Sequence, residues 1–257
     1  MKIGVVLSGG GIRGIAHIGV LQGLKELGVD VDNYAGASSG SLVAALAASG
    51  YQPNEILEIA KKHKIFSFIR PNWPNLGLSA LDKIPSVLSN YIETDTFEAL
   101  QKPLAVSMSG ITSAEFLIKD SGPLFQVIQA SCSIPILFKP VDLEGELYVD
   151  GGLLNNLPAQ HFRDRSDIMI GVNLVPGAKI SKDKISGLFQ IAIRTFELAI
   201  SNNAKDGEEL CDIVIQPSRE DVNPILYSKN IDKIYENGYR ATMAQEKNIK
   251  EMIREVS

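Results

Sequence analysis

Cysteine is scarce in this chain, with only Cys132 and Cys211 among 257 residues. The two cysteines are far apart in sequence, form no C-x-x-C pair and sit in no metal-like cluster of side chains. This excludes a disulfide-rich scaffold and argues against a cysteine-based metal site. We therefore expect a reduced compartment in which both thiols are buried as small apolar side chains.

Long apolar runs and basic blocks are absent as well. No stretch approaches the ~20 apolar residues that a membrane-spanning helix needs. Residues 1–10 hold too short an apolar run for a signal peptide and lead straight into a glycine-rich loop. The 25 basic and 30 acidic residues give a formal charge of −5, so we expect no nucleic-acid partner. These absences predict a cytoplasmic, soluble protein whose membrane contact, if any, is peripheral.

Short apolar runs alternate with helix-like segments along the chain, in which 45% of the residues are hydrophobic. Strand-length runs cover 3–7, 33–37, 104–109, 115–119, 146–149, 168–174 and 213–216, and helical patterns cover about 13–27, 38–48, 53–64, 123–132, 186–203 and 231–255. This order predicts an α/β fold, a three-layer α/β/α sandwich with a mostly parallel central sheet, formed by one domain over 1–257. Ligands of such sheets bind at the carboxyl ends of the strands.

A serine flanked by glycines follows one of these strands. Residues 36–40 read Gly-Ala-Ser-Ser-Gly and stand between a short apolar segment and a helix-forming run. This is the G-x-S-x-G nucleophile elbow in the strand–turn–helix context that it requires. The helix packs close to the strand, so Gly36 and Gly40 stand where little more than a hydrogen fits. The bare pattern occurs by chance in roughly one chain in ten of this length, so its context makes Ser38 the candidate nucleophile.

A glycine-rich loop, residues 8–14, links the first strand to the first helix and permits two interpretations. It fits the G-x-G-x-x-G dinucleotide fingerprint, but the required acid should end the second strand, and Asp30 and Asp32 precede that strand. An oxyanion hole fits better, because consecutive glycines can turn their N–H groups toward one point near a helix N-terminus. The oxyanion-hole candidates and the final loop glycine are Gly9, Gly10, Gly11 and Gly14.

Arg13 lies in the same loop. It could anchor the loop, attract an anionic head group, or simply be solvated at the start of the helix.

A serine nucleophile needs a base, and the sequence offers three histidines and one well-placed aspartate. His17 lies inside the first helix and His63 in a lysine-rich helix end, where we expect a packed and a solvated side chain respectively. His161 is the only histidine in the Ser–Asp–His order of α/β-hydrolases, but its helix leads away from the strand end. Asp150 ends a strand and precedes two glycines, Gly151 and Gly152, which allow close approach of another backbone. By itself this is an ordinary Asp-Gly turn.

Four stretches, in this order, resemble the patatin-like phospholipase family in its compact bacterial form. They are residues 9–21 (GGGIRGIAHIGVL), 36–40 (GASSG), 130–138 (ASCSIPILF) and 148–158 (YVDGGLLNNLP). The resemblance covers residues 3 to about 175 and becomes vague over the C-terminal helical part, about 176–257. It implies a Ser–Asp dyad in place of a triad, with Ser38 as nucleophile, Asp150 as general base and Gly9, Gly10 and Gly11 as oxyanion-hole residues.

The resulting expectation is an acyl-ester hydrolase directed at lipids, with a lipid or ester substrate, no cofactor and no metal. Residues 65–78 hold the only tryptophan and two phenylalanines, a composition that suits a lid or a membrane-touching flap. Packing of these aromatics over the core is the alternative. A regulatory or scaffold protein that keeps the fold without catalysis is the rival function.

Overall fold

A computed structural model describes residues 1–63, 81, 83–177, 179–218 and 231–256. Eight strands of these described residues form one sheet: β1 (Ile3–Leu7), β2 (Asn33–Ala37), β3 (Leu104–Gly110), β4 (Phe116–Lys119), β5 (Val141–Leu143), β6 (Glu146–Asp150), β7 (Ile168–Val172) and β8 (Ile213–Ile215). The helices of the described residues are α1 (Ile15–Glu26), α2 (Ser39–Ala48), α3 (Pro53–His63), α4 (Lys83–Leu88), α5 (Leu124–Ser131), α6 (Leu188–Glu209), α7 (Ile231–Met243) and α8 (Glu246–Val256).

The sheet has the strand order β5-β6-β3-β2-β1-β7-β8, with β4 also paired to β3. The neighbours β3, β2, β1, β7 and β8 pair in parallel, whereas β4, β5 and β6 pair antiparallel. The predicted mostly parallel α/β sheet is therefore confirmed, with an antiparallel extension at one side. β1, β2, β3 and β7 are buried along their whole length, as expected for strands covered on both faces.

Side chains of β1 alternate between two apolar layers, which is how the sheet divides the core. Val5 and Leu7 pack in the larger cluster with residues of α1, α2 and α5. Val6 packs on the other side with Leu157, Phe162 and Ala204 of α6. This alternation is the period of two that a strand imposes, and it gives the predicted three layers.

Two elements near the chain's C-terminal end differ from the sequence prediction. The helix predicted over 186–203 extends to Glu209, and the helix predicted over 231–255 is two helices, α7 and α8. At the break the N–H of Gln245 bonds the carbonyl of Thr242, three residues back, so the α-helical spacing is interrupted there. α7 packs tightly on α1, since a Cβ added at Gly238 would lie 1.9 Å from the Ala16 carbonyl oxygen.

Two features bear on the expectations about membranes and thiols. Among the described residues, no helix has the length and apolar character needed to cross a membrane. Cys132 is buried, as predicted, but Cys211 is only partly buried, and its Sγ donates to the Gly207 carbonyl at 3.2 Å. The prediction that both thiols are buried is thus wrong for Cys211, which lies just beyond the end of α6.

Candidate active site

Ser38 lies on a sharp turn between β2 and α2. Its φ of 50° is in the left-handed region that a residue with a side chain rarely adopts, so its backbone is strained. The Ser38 N–H donates to Ser131 Oγ at 2.8 Å, and that hydroxyl donates to the Ser107 carbonyl at 2.7 Å. A Cβ added at Gly40 would lie 2.1 Å from the Leu7 carbonyl oxygen, so α2 packs against β1 as the elbow pattern predicts.

Asp150 reaches Ser38 because β3 holds both of their strands. Ala37 pairs with Ser107, while Asp150 pairs with Met108, the next residue along β3. The Asp150 N–H donates to the Ser133 carbonyl at 2.9 Å. A Cβ added at Gly151 would lie 2.1 Å from the Ser107 carbonyl oxygen, so the glycine after the aspartate allows the close approach expected of it.

The two side chains are hydrogen-bonded in a dry environment. Ser38 Oγ donates to Asp150 Oδ2 at 2.6 Å, and the Gly152 N–H donates to Asp150 Oδ1 at 2.8 Å. Ser38 is 5% exposed and Asp150 is 2% exposed. Burial raises the pKa of Asp150 to about 7, against the opposing effect of the hydrogen bonds from Ser38 and Gly152. A buried carboxylate and a serine hydroxyl held within hydrogen-bonding distance can transfer a proton between them.

The glycine loop lies beside this pair. A Cβ added at Gly9 would lie 3.0 Å from Ser38 Cβ, and Gly11 has a φ of 60°. The loop continues as a short 3-10 helix, Gly11–Gly14, directly into α1. The Gly9 N–H donates to Asn156 Oδ1 at 2.9 Å, so in this structure that N–H already has a partner. Gly10 and Gly11 line the same pocket as Ser38 and Asp150.

The pocket over the pair is lined mostly by apolar side chains. They come from the segment after α5, from the end of the β7 region and from one face of α6: Ile134, Leu137, Val175, Ile193, Phe196 and Ile200. Such a lining suits an acyl chain better than a polar ligand.

Arg13 is the one basic side chain among the residues that line this pocket. It is 6% exposed, so its interpretation as a solvated residue is wrong. Its Nη2 contacts Glu197 Oε1 of α6 at 3.3 Å, and Arg194 Nη1 contacts Glu197 Oε2 at 3.2 Å. Arg13 therefore ties the glycine loop to α6, which agrees with its predicted role as a loop anchor.

Comparison with known protein families assigns the chain to one of them. The sequence model of the patatin-like phospholipase family matches residues 5–163, which contain the elbow, the glycine loop and Asp150. The chain belongs to the patatin-like phospholipase family.

Curated relatives support the same family but are much longer than this chain. An uncharacterized NTE family protein of Mycobacterium tuberculosis is 34% identical over 165 residues, which is 62% of this chain and 27% of the relative. The lysophospholipase NTE1 of Cryptococcus neoformans is 31% identical over 180 residues, 66% of this chain and 11% of the relative. This patatin-like chain thus spans about a quarter or less of these relatives.

Solved structures show the same fold at low sequence identity. VipD from Legionella pneumophila superposes with a TM-score of 0.60 at 18% identity, covering 96% of this chain and 67% of VipD. Human GIVD cytosolic phospholipase A2, solved with methyl gamma-linolenyl fluorophosphonate, gives 0.53 at 12% identity over 99% of this chain and 58% of its own. These likenesses confirm the α/β fold of this patatin-like chain.

The three histidines of the patatin-like chain all have partners away from Ser38. His17 is fully buried with its Nε2 2.7 Å from the Ser8 carbonyl oxygen, and burial lowers its pKa to about 4. His161 Nε2 lies 3.0 Å from Asp120 Oδ2, on a 3-10 turn rather than a longer helix. His63 was expected to be solvated, but its Nε2 lies 2.6 Å from Tyr91 Oη and its ring packs edge-on against that of Tyr91.

The dinucleotide interpretation of the glycine loop fails on the position of its acids. Asp32 Oδ2 accepts from the Ile3 N–H at 2.7 Å, at the amino end of β1, and Asp30 pairs with Lys102 at 2.7 Å. Neither acid is at the carboxyl ends of the strands, where Ser38 and the glycine loop lie.

Sequence reasoning missed several residues of the site. It gave no role to Ser131, Asn156 or the α6 residues that line the pocket. Ser131 and Asn156 do fall within two of the stretches that carry the family resemblance, which was the available signal. The α6 residues lie outside those stretches, and no local pattern pointed to them. The predicted lid, residues 65–78, lies outside the described residues.

Proposed function

We propose that this chain is a serine acyl-ester hydrolase that acts on lipid esters, with Ser38 as nucleophile and Asp150 as general base. The observation that carries the proposal is the 2.6 Å hydrogen bond from Ser38 Oγ to Asp150 Oδ2, made by a serine on a strained elbow. Nucleophile and base within hydrogen-bond reach are the geometric signature of covalent catalysis. His17, His63 and His161 are bonded elsewhere, which favours a dyad over a triad.

In the acylation half of the reaction, the Asp150 carboxylate takes the proton of Ser38 Oγ. The oxygen attacks the ester carbonyl carbon, and the carbonyl π electrons move onto the carbonyl oxygen. Backbone N–H groups of the glycine loop, with Gly10 and Gly11 lining the pocket, would stabilise this oxyanion. When the intermediate collapses, the bond to the alcohol oxygen breaks and Asp150 returns its proton to that leaving group.

In the deacylation half, water replaces the alcohol. Asp150 accepts a proton from the water, whose oxygen attacks the acyl carbon, and collapse returns a proton to Ser38 Oγ as the fatty acid leaves. An aspartate with the ordinary pKa of ~3.9 is a weak base, but burial raises the pKa of Asp150 to about 7. This makes the carboxylate a stronger base while leaving a large ionised fraction near neutral pH.

A lipid ester is the substrate class that the surroundings favour. Six apolar side chains line the pocket, and Arg13 adds a cation that could meet a phosphate-bearing head group. One relative is named a lysophospholipase and one structural neighbour a cytosolic phospholipase A2, and both names describe hydrolysis of lipid esters. The substrate class can be narrowed by measuring hydrolysis of a panel of phospholipids, lysophospholipids, triglycerides and short esters.

The first prediction compares two adjacent serines. Ser38→Ala should abolish hydrolysis of the whole panel and labelling by a fluorophosphonate probe, because the attacking oxygen is gone. Ser39→Ala is the matched control, since Ser39 is buried and its hydroxyl has no hydrogen-bond partner within the described residues. We expect this control to keep most of its activity. Unchanged turnover by pure Ser38→Ala would refute the assignment, and a wild-type protein that neither labels nor hydrolyses would indicate the scaffold alternative.

We also propose that residues 65–78 form a peripheral membrane contact. Their sequence combines Phe66, Phe68 and Trp73 with two prolines, which is a composition suited to an apolar surface that meets lipid. Phe68→Ser with Trp73→Ser should weaken liposome binding and slow long-chain hydrolysis about tenfold, while a short soluble ester is hydrolysed nearly as before. Equal loss on both substrates with a lower melting temperature would mean that these aromatics pack in the core.

A further inference from the structure

Asn156 lies between the glycine loop and the turn that follows Asp150. Its side chain is fully buried and lines the pocket together with Ser38 and Asp150. Asn156 Oδ1 accepts the Gly9 N–H at 2.9 Å. A Cβ added at Gly9 or Gly152 would lie 2.7 or 2.8 Å from this oxygen, so both glycines leave room for the asparagine.

The backbone around Asn156 is held by α6. The Asn156 N–H donates to Asn203 Oδ1 at 2.7 Å. Asn203 Nδ2 in turn donates to the carbonyls of Gly152 at 2.9 Å and Leu153 at 3.0 Å. One α6 side chain thus fixes both Asn156 and the turn after Asp150, which places the Asn156 amide with little freedom.

The other end of that amide has no hydrogen-bond partner among the described residues, although it is buried. The orientation follows from the network, because a reversed amide would point its NH2 group at the Gly9 N–H, donor against donor. Nδ2 therefore carries the two protons and faces away from Gly9. Most buried side-chain donors have a partner. Because Asn156 lines the pocket and its buried Nδ2 has no partner among the described residues, this NH2 group is a candidate donor to an acceptor of the substrate.

We propose that Asn156 Nδ2 donates a hydrogen bond to the carbonyl oxygen of the scissile ester as that oxygen becomes negative. This inference rests on the proposed hydrolase function and adds a side-chain donor to the backbone donors of the glycine loop. The Gly9 N–H has a different task, since its bond to Oδ1 positions the amide and polarises it toward stronger donation. Gly10 and Gly11 then supply the backbone donors.

The test separates donation from positioning with three variants. Asn156→Asp keeps an acceptor for Gly9 but loses the donor, Asn156→Ala loses both, and Asn155→Ala is the control. Asn155 is also buried with an unpartnered Nδ2, but it is not among the residues that line the pocket. If Asn156 is a donor, both Asn156 variants should lose about 10²–10³-fold in kcat with little change in KM, which is the signature of a contact made in the transition state.

Full pH–rate profiles separate the lost donor from a changed base, because an aspartate at position 156 would also disturb the titration of Asp150. The kcat of each variant is therefore taken from the high-pH plateau. Asn155→Ala should stay within a few-fold of the wild type. An Asn156→Asp enzyme with kcat near that of the wild type would overturn the proposal and leave Asn156 a positioning residue only.

A second measurement uses the wild-type protein, so it stands even if the variants fold poorly. In [15N]Asn-labelled protein, phosphonylation of Ser38 by a fluorophosphonate should move one side-chain NH2 resonance of Asn156 downfield, because the phosphonyl oxygen occupies the oxyanion position. An unmoved resonance in fully labelled protein would overturn the donor role while the nucleophile assignment stands. A wild-type protein that does not label at all would instead count against the proposed function.

Discussion

Every residue of β1 and α2, the two elements next to Ser38, is buried. In the first half of α6, residues 188–199, no residue is buried. We call β1, β2, the elbow, α2 and Asp150 at the end of β6 the floor of the pocket, and residues 188–199 its roof. The floor is fixed by sheet register and by backbone contacts too close for a Cβ. The roof contributes Ile193, Phe196 and Glu197 to the pocket, and outward it presents Leu188 at 83% exposure.

This difference indicates a division of labour between the two regions. Reacting groups need positions accurate to a fraction of an ångström, and the floor supplies them through strands that cannot shift singly. Substrate has to enter, and a segment with little buried apolar surface opens at low free-energy cost. Substitutions test this difference. Those in the floor should have large effects on activity or stability, whereas those in the roof should have small and local effects.

After the loss of the nucleophile itself, the largest expected effect is at the base. Asp150→Asn should reduce kcat about 10³-fold, because the amide cannot accept the Ser38 proton. The control is His161→Ala, which removes a histidine bonded to Asp120 and should keep most of the activity. Steady-state kinetics on one ester with both purified variants measures the difference. The reverse pattern would establish a triad with His161 and end the dyad proposal.

The pH dependence of the wild type follows from the same carboxyl group. Because burial raises the pKa of Asp150 to about 7, the base is mostly protonated at pH 5, and kcat should rise with pH to a plateau above about 8. A rate that is flat between pH 5 and 8 would mean that another group, or an unshifted carboxylate, is the base. His161→Ala should leave the midpoint in place.

Stability should move in the opposite direction to activity. The folded-state pKa of about 7 exceeds the ordinary aspartate pKa of 3.8, so the carboxyl group is stabilising when protonated, and that contribution is lost as pH rises from about 4 to 7. Asp150→Asn has no such loss. The free energy of unfolding of Asp150→Asn should therefore increase relative to that of the wild type between about pH 4 and 7. Above about pH 7 the difference should stay constant. Urea unfolding at several pH values measures the gap, and a constant gap would contradict the shifted pKa.

The next effect compares one glycine of the floor with the glycine that directly precedes the roof, Gly187. Gly40→Ala places a Cβ 2.1 Å from the Leu7 carbonyl oxygen, and the backbone of α2 or β1 must move to accommodate it. We expect a loss of about 3 kcal/mol or more, which lowers the melting temperature by roughly 10 °C in a chain of this size. Gly187→Ala, at the start of α6, would meet only the flexible end of Gln190 at 3.0 Å and should melt within about 2 °C of the wild type. Equal losses would remove the distinction between floor and roof.

The same contrast explains what the sequence could predict. The elbow, the glycine loop and Asp150 could be recognised in the sequence. Close backbone contacts require glycines at fixed spacing there, and such spacing is visible within a short stretch of residues. The roof could not be predicted in this way. Its helix was recognised, but nothing in the residues of α6 showed that they cover the site. Likewise Ser131 and Asn156 act through contacts with Ser38 and Gly9 that are 93 and 147 residues distant in sequence.

The smallest expected effect is at the ion pair that joins roof to floor. Arg13 and Glu197 contact each other at 3.3 Å with side chains only 7% and 14% exposed. Glu197→Gln keeps the shape but removes the charge, which should weaken the attachment of residues 188–199 by about 1–3 kcal/mol. The second half of α6 stays attached through its buried residues Ile200, Ala204 and Gly207. The global melting temperature should therefore fall by only a few degrees.

Hydrogen exchange is the measurement that sees such a local opening. Amides of residues 190–199 should exchange about tenfold faster in Glu197→Gln, while those of β1 and α2 keep their protection. Glu209→Gln is the matched control, because Glu209 is an exposed residue at the far end of the same helix. Removing the Glu197 carboxylate also leaves more of the Arg13 charge for an anionic head group, so hydrolysis of phospholipid should rise relative to that of a neutral ester. Identical exchange in the two variants would mean that apolar packing, rather than the ion pair, holds the roof on the floor.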